Sequence, residues 1–103
     1  MNKLTLSALL AAGVLIAAPT YAADVAAGKT IAEASCVDCH GDDGKGDDEN
    51  PGIAGMAVDK FTKAMTEYQN GTRTKDAKMA KAAKKLDAAG VANVAAYYAS
   101  LPK

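Results

Sequence analysis

Residues Cys36-Val37-Asp38-Cys39-His40, CVDCH in one-letter code, contain both cysteines and the single histidine of the 103-residue chain. Two thiols with an imidazole directly behind them suit three chemistries: a dithiol redox pair, part of a zinc site, or the anchor of a covalent haem. Each needs different company, so the rest of the sequence discriminates between them. A structural zinc site takes four ligands, usually cysteine and histidine. Cys36, Cys39 and His40 supply three at most, and adjacent Cys39 and His40 do not easily close a tetrahedron with Cys36. A thioredoxin-like dithiol opens a helix after a strand in a βαβ unit. Here the motif follows a helical stretch and precedes a glycine-rich one, with no strand pattern on either side.

Covalent haem accounts for every part of the motif. Thiols one helical turn apart can join the two vinyl groups along one porphyrin edge, and the next residue then lies under the iron as its proximal ligand. Cys36 and Cys39 are therefore the expected thioether attachment points and His40 the expected iron ligand. This reading uses both cysteines and the histidine and leaves none over. It also requires export, because attachment takes place outside the cytoplasm.

The amino terminus meets that requirement. MNKLTLSALLAAGVLIAAPTYAAD places Lys3 before an apolar run, Leu4 to Ala18, and small residues around Thr20-Tyr21-Ala22. That is the layout of a secretory signal peptide. The apolar run is shorter than the roughly 20 residues that span a bilayer, so removal near Ala22 is expected rather than retention as an anchor. Residues 1–22 are read as signal and 23–103 as one domain in the periplasm, with no stable membrane insertion.

Composition points the same way. The chain has one phenylalanine and no tryptophan, so alanine must supply much of its core. Small domains with thin cores commonly need a staple, and a bulky apolar cofactor is one. Twelve basic side chains against twelve acidic ones give no net charge, which argues against a nucleic-acid partner. The charges are nevertheless segregated: Asp38, Asp42, Asp43, Asp47, Asp48 and Glu49 lie together, and Lys75, Lys78, Lys81, Lys84 and Lys85 lie together.

Periodicity predicts an all-helical domain. Asp24 caps a short helix ending near Ser35. Gly41 to Met56, GDDGKGDDENPGIAGM, is too rich in glycine for regular structure and reads as a long loop of the functional kind. Val58, Phe61, Met65 and Tyr68 recur at helical spacing until Asn70-Gly71. Residues 72–78 read as loop. Met79, Ala82, Ala83 and Leu86 share a helix face with the lysines opposite. A last helix starts at the cap Asp87 and carries Val91, Val94, Ala95, Tyr98 and Leu101 until Pro102.

With His40 used, no second imidazole remains in the chain, and a methionine sulfur is the natural sixth ligand. Met65 shares the face of Phe61 and Tyr68 and is expected to pack. Met79, at the start of a helix after a polar loop, is the better placed of the other two; Met56, at the end of the glycine loop, competes with it. Arg73 is a candidate for pairing with a haem propionate, with an ordinary exposed arginine as the competing reading. Tyr68, Tyr97 and Tyr98 are expected as core aromatics.

The ordered set GKTIAEASCVDCHGDDGKG, PGIAG, YQNGTR, Met79 and LDAAGVANVAAYYASL resembles the class I cytochromes c over the whole of residues 23–103. The resemblance is to the small bacterial monohaem forms and to single domains of their dihaem relatives. The chain is similar too to the cytochrome subunit of flavocytochrome c sulfide dehydrogenases. It implies one covalent haem c, Met79 as distal ligand, and Pro51 as the residue whose carbonyl accepts the His40 Nδ1–H bond. Two departures stand out. Ala32 occupies a position where the family often has an aromatic, so Gly28 and Ala32 should cross Val94 and Tyr97 closely. Ala82 replaces a second methionine, which removes a rival for the iron.

The expected function is single-electron transfer by a His/Met-ligated haem c, without catalysis of its own. Donor and acceptor are expected to be redox proteins, such as a flavoprotein or a terminal oxidase or reductase. The alternative is a haem subunit of an oxidoreductase complex, such as a sulfide-oxidising flavocytochrome c. A haem sensor or a dithiol oxidoreductase ranks below both. The lysines around Met79 are either a solvated face or a surface that steers an acidic partner.

Overall fold

The computed structural model describes residues 23–103, so the expected signal peptide lies outside the described residues. Among the described residues five helices follow in order: α1 Val25–Ser35, α2 Val37–His40, α3 Val58–Asn70, α4 Ala77–Lys84 and α5 Ala88–Ala99. No strand occurs among the described residues, and no described helix is long and apolar enough to cross a membrane.

Local chemistry sets most of the boundaries. The Asp24 side chain accepts from Ala27 N–H, the Asp76 side chain from Lys78 and Met79 N–H, and that of Asp87 from Gly90 N–H. Each thereby satisfies amides that a helix start leaves unpaired. The Asp76 cap starts α4 at Ala77, inside the stretch expected as loop. Gly71, at φ 84°, ends α3 in the left-handed conformation that glycine adopts without strain. Helix α5 closes at Ser100, so Leu101 lies past its end and packs from the chain beyond it.

The expected close crossing of α1 and α5 is present. A methyl group on Gly28 would overlap the Asn93 carbonyl and stand 3.0 Å from Tyr97 Cβ. Asp24 N–H donates to Asn93 Oδ1 at 2.8 Å and pins the start of α1 to the same turn of α5. Ala32 is completely buried, as are Ala83, Val94 and Ala95. Small residues let the backbones approach, and that approach is how an alanine-rich sequence fills space. Phe61 and Met65 from α3 and Tyr97 and Tyr98 from α5 supply the bulk of the remaining core. Phe61 stacks on Tyr98 with ring centroids 6.0 Å apart, and Tyr97 meets Tyr98 edge-on at 5.0 Å.

Gly41 to Met56 has no regular structure, yet its backbone is tightly fastened. Gly46 N–H donates to the His40 carbonyl at 2.8 Å, Ile53 N–H to Gly44 at 2.7 Å, and Gly55 N–H to Tyr98 at 2.8 Å. The loop is thus tied to the helix before it, to itself, and to α5.

Candidate haem-binding site

Helix α2 is a single turn formed by the CVDCH motif. Cys36 occupies its N-cap position, with its carbonyl accepting from Cys39 N–H at 3.3 Å and His40 N–H at 3.1 Å. One turn brings residues three and four apart to the same side of a helix. Cys36 is half-buried against the core, Cys39 is exposed, and His40 is buried at 8% exposure. Both cysteines are free thiols. No group of three or more His, Cys, Asp or Glu side chains arranged to hold a metal occurs among the described residues.

The His40 ring is held from behind. Its Nδ1 lies 2.8 Å from the Pro51 carbonyl oxygen. A carbonyl has no hydrogen to give, so Nδ1 carries the proton and donates it. This leaves the Nε2 lone pair available, the electronic form that a metal-binding histidine needs. Gly46 makes the arrangement feasible. At φ 72° it passes so close to residues 50 and 51 that a Cβ would overlap the Asn50 carbonyl oxygen and stand 2.7 Å from that of Pro51. The same Gly46 donates its N–H to His40. One glycine therefore links the histidine to the carbonyl that orients it. Its place in the run GDDGKG was the available signal, but the close approach is invisible in one dimension.

Of the three methionines in the described residues, Met65 is buried in the core at 4% exposure. Met56 and Met79 are partly buried and pack against it. Met56 lines a surface hollow of about 550 Å³ shared with Lys45, Lys60 and Lys103 and with none of Cys36, Cys39 or His40. Met79 sits in the first turn of α4, where its N–H is bound by the Asp76 carboxylate at 3.1 Å. The far end of α4 is held by Gln69, whose amide donates to the Ala83 and Leu86 carbonyls, both at 2.9 Å. Arg73 meets a carboxylate of the protein itself: Nη2 lies 2.7 Å from Glu67 Oε1, and the guanidinium covers the Tyr68 ring. The Glu67 carboxylate raises the Arg73 pKa further.

Tyr98 is a core aromatic, with one feature that the sequence did not display. Its hydroxyl is buried without a hydrogen-bond partner, and Cys36 packs against the core cluster to which Tyr98 belongs. Burial raises the Cys36 pKa, and the tyrosine hydroxyl opposes that shift. The Tyr98 pKa is raised in turn, first by burial and then by Cys36.

These residues fit a covalent haem. Two free thiols stand on one turn, a buried imidazole is committed through Nδ1, thioether sulfurs lie at the core's edge, and a buried hydroxyl beside one thiol lacks a partner.

Comparison with known proteins agrees. The Cytochrome c family model matches residues 25–102. Cytochrome c-552 of Acidithiobacillus ferridurans is 37% identical over 67 residues, covering 65% of this chain and 29% of the relative. Cytochrome c-554(547) of Halothiobacillus neapolitanus is 36% identical over 50 residues, covering 48% of this chain and 55% of the relative. The chain thus spans less than two thirds of either. Among solved structures, Acidithiobacillus ferrooxidans cytochrome c4 matches with a TM-score of 0.70 and 33% identity, over 77% of this chain and 50% of that one. A thiosulfate dehydrogenase (TsdBA) from Marichromatium purpuratum matches with a TM-score of 0.70 and 28% identity, over 76% of this chain and 19% of that one. The chain belongs to the cytochrome c family, whose cofactor is a covalently bound haem c with iron.

Proposed function

We propose that this protein is a periplasmic single-electron carrier whose haem c is held through Cys36 and Cys39 and ligated by His40 and Met79. Bound haem supplies reversible one-electron chemistry at its iron. The observation that carries the reading is the His40–Pro51 hydrogen bond, 2.8 Å long, on the same turn as two free thiols. Cys36 and Cys39 would hold the haem by addition of each S–H across a vinyl double bond, sulfur to one carbon and hydrogen to its neighbour, with no electrons gained or lost. Two such bonds would keep the cofactor in place even without Met79.

The residues around the site act by position. Pro51 fixes the imidazole plane and raises its basicity through Nδ1. The Asp76 cap and the Gln69 amide hold α4, and with it Met79, in a defined place. His/Met ligation raises the reduction potential, and a buried His40 limits the water that would lower it. If His40 and Met79 both held the iron, no place would be left there for a substrate, which favours a carrier over a sensor.

Absorption spectra of the exported protein, oxidised and reduced, together with its intact mass, test the reading. The mass should exceed that of the polypeptide by one haem. Met79→Ala should keep that mass while losing the long-wavelength sulfur-to-iron charge-transfer band and gaining carbon monoxide binding in the reduced state. A band that persists in Met79→Ala would move the distal role to Met56.

A second reading is supported by the likeness to the thiosulfate dehydrogenase. The chain would then be a haem module that drains electrons from an enzyme, among them a sulfide-oxidising flavoprotein. Elution as a lone small red protein supports the free carrier. Co-elution with a catalytic subunit supports the module.

A further inference from the structure

Tyr98 stands at 1% exposure, and its ring is held on three sides: Phe61 stacks against it, Tyr97 meets it edge-on, and Gly44 leaves room for it. A Cβ on Gly44 would come within 3.0 Å of Tyr98 Cε1, so the glycine loop is shaped to this ring. Main-chain bonding tightens the fit, because the Tyr98 carbonyl accepts from Gly55 N–H at 2.8 Å. Yet the hydroxyl at the end of this clamped ring has no partner. A buried donor left unpaired costs about 1–3 kcal/mol. Phenylalanine would fill the same space without that cost. The hydroxyl therefore calls for an acceptor, and Cys36, half-buried against the same core cluster, is the polar side chain that acts on it.

We propose that Tyr98 is a positioning residue for the haem edge, its O–H, unpartnered beside the free thiol, donating to the Cys36 sulfur once that sulfur is a haem thioether. The inference rests on the haem reading above and deepens it. Sulfur is a weak acceptor, but in a dry site a weak bond to a clamped donor has no water to compete with it. The bond turns the Cys36 sulfur toward the core rather than toward solvent. Cys39, one turn on and exposed, lacks any such restraint. The donor also draws electron density from the sulfur, and so from the macrocycle it joins, favouring the reduced state. Hydrogen bonding around a haem is one of the levers by which a protein sets its potential.

The test compares haem-loaded wild type with Tyr98→Phe, using Tyr97→Phe as control. Tyr98→Phe should lower the denaturation midpoint and shift the reduced-to-oxidised ratio at fixed applied potential about two- to fourfold toward oxidised, the low end of a net hydrogen bond. Tyr97→Phe should leave that ratio unchanged. If the hydroxyl is a true orphan, Tyr98→Phe gives equal or greater stability with an unchanged ratio, which overturns the inference. A measurement on wild type alone covers a variant that fails to mature. After long incubation in deuterated buffer, the Cys36 carbon–sulfur stretch in the Raman spectrum should shift. No isotope shift, even with an altered redox ratio, overturns sulfur as the acceptor. A wild-type mass equal to bare polypeptide overturns the haem reading itself, and this inference with it; every other failure leaves that reading standing.

Discussion

The glycine loop from Gly41 to Met56 orients His40, the lysine-rich segment from Gly71 to Leu86 carries Met79, and the two are fastened mainly by different means. In the loop, backbone bonds to backbone: Gly46 to His40, Ile53 to Gly44, Gly55 to Tyr98. In the segment, Gly71 through Lys78 are all exposed, and apart from Arg73 N–H donating to the Glu67 carbonyl at 3.0 Å its ties to the rest of the fold come from side chains. Asp76 caps α4, Gln69 holds its end, and Glu67 holds Arg73. Backbone ties can be broken only by distorting the chain, whereas side-chain ties can be deleted one at a time. The histidine side should therefore be rigid and intolerant, and the methionine side adjustable.

Two glycines make the sharpest test of that difference, because both sit in left-handed backbone: Gly46 at φ 72° and Gly71 at φ 84°. A Cβ on Gly46 would strike the Asn50 and Pro51 main chain, while one on Gly71 would meet nothing within 4 Å. Gly71→Ala carries only the conformational penalty, about 1–2 kcal/mol. Gly46→Ala adds a collision with backbone that cannot turn aside, and about 3 kcal/mol or more is expected in total. Chemical denaturation of the haem-loaded variants, with the yield of mature protein as a second readout, checks the order. Equal losses at the two positions would remove the contrast.

On the adjustable side, Gln69→Ala should cost about 1–2 kcal/mol, because two carbonyls at the end of α4 lose their donor. The loss should be local. In a thermal scan the charge-transfer band attributed to Met79 should fade well before the far-ultraviolet helix signal, by a wider margin than in wild type. Coincident loss of both signals would mean that the two regions unfold as one unit, and that the difference in their fastening has no dynamic consequence.

The same division governs what could be read from the amino-acid sequence. The caps Asp24 and Asp87, the stop at Gly71 and the packing of Met65 rest on neighbours a few residues away, so spacing reveals them. The CVDCH motif was legible because the chemistry of attachment dictates its spacing and leaves no surplus ligand. Pro51 came from the family resemblance, and the 2.8 Å contact gives that expectation its geometry. The boundary of α4 was missed because Asp76 as a cap was hidden in a polar run. Gly46 and Tyr98 were opaque for a stronger reason. A glycine's φ and the chain segment it touches are set by the closed loop, and the burial of the Tyr98 hydroxyl without a partner exists only once the helices have packed. Arg73 had two readings open, and its Glu67 partner is a contact that nothing in the residue type foretells.

The smallest expected effect lies at the rim of the rigid loop and tests how far its rigidity depends on charge. The Asp47 carboxylate accepts from Glu49 N–H at 2.9 Å and Asn50 N–H at 2.8 Å, directly before Pro51. Those bonds, Glu49 first, hold its pKa below the ordinary carboxylate value. A depressed folded-state pKa contributes stability that is present above the unfolded value and is lost as pH falls through the folded one. Asp47→Asn keeps an acceptor oxygen but removes the charge. Melting curves of wild type and variant should therefore separate slightly, wild type higher, at neutral pH and converge in acid below the ordinary carboxylate range. The group is fully exposed, so the gap should be small and should shrink with added salt. A gap that persists unchanged into acid would assign the turn to hydrogen-bond geometry alone, and the loop's order would then owe nothing to ionisation.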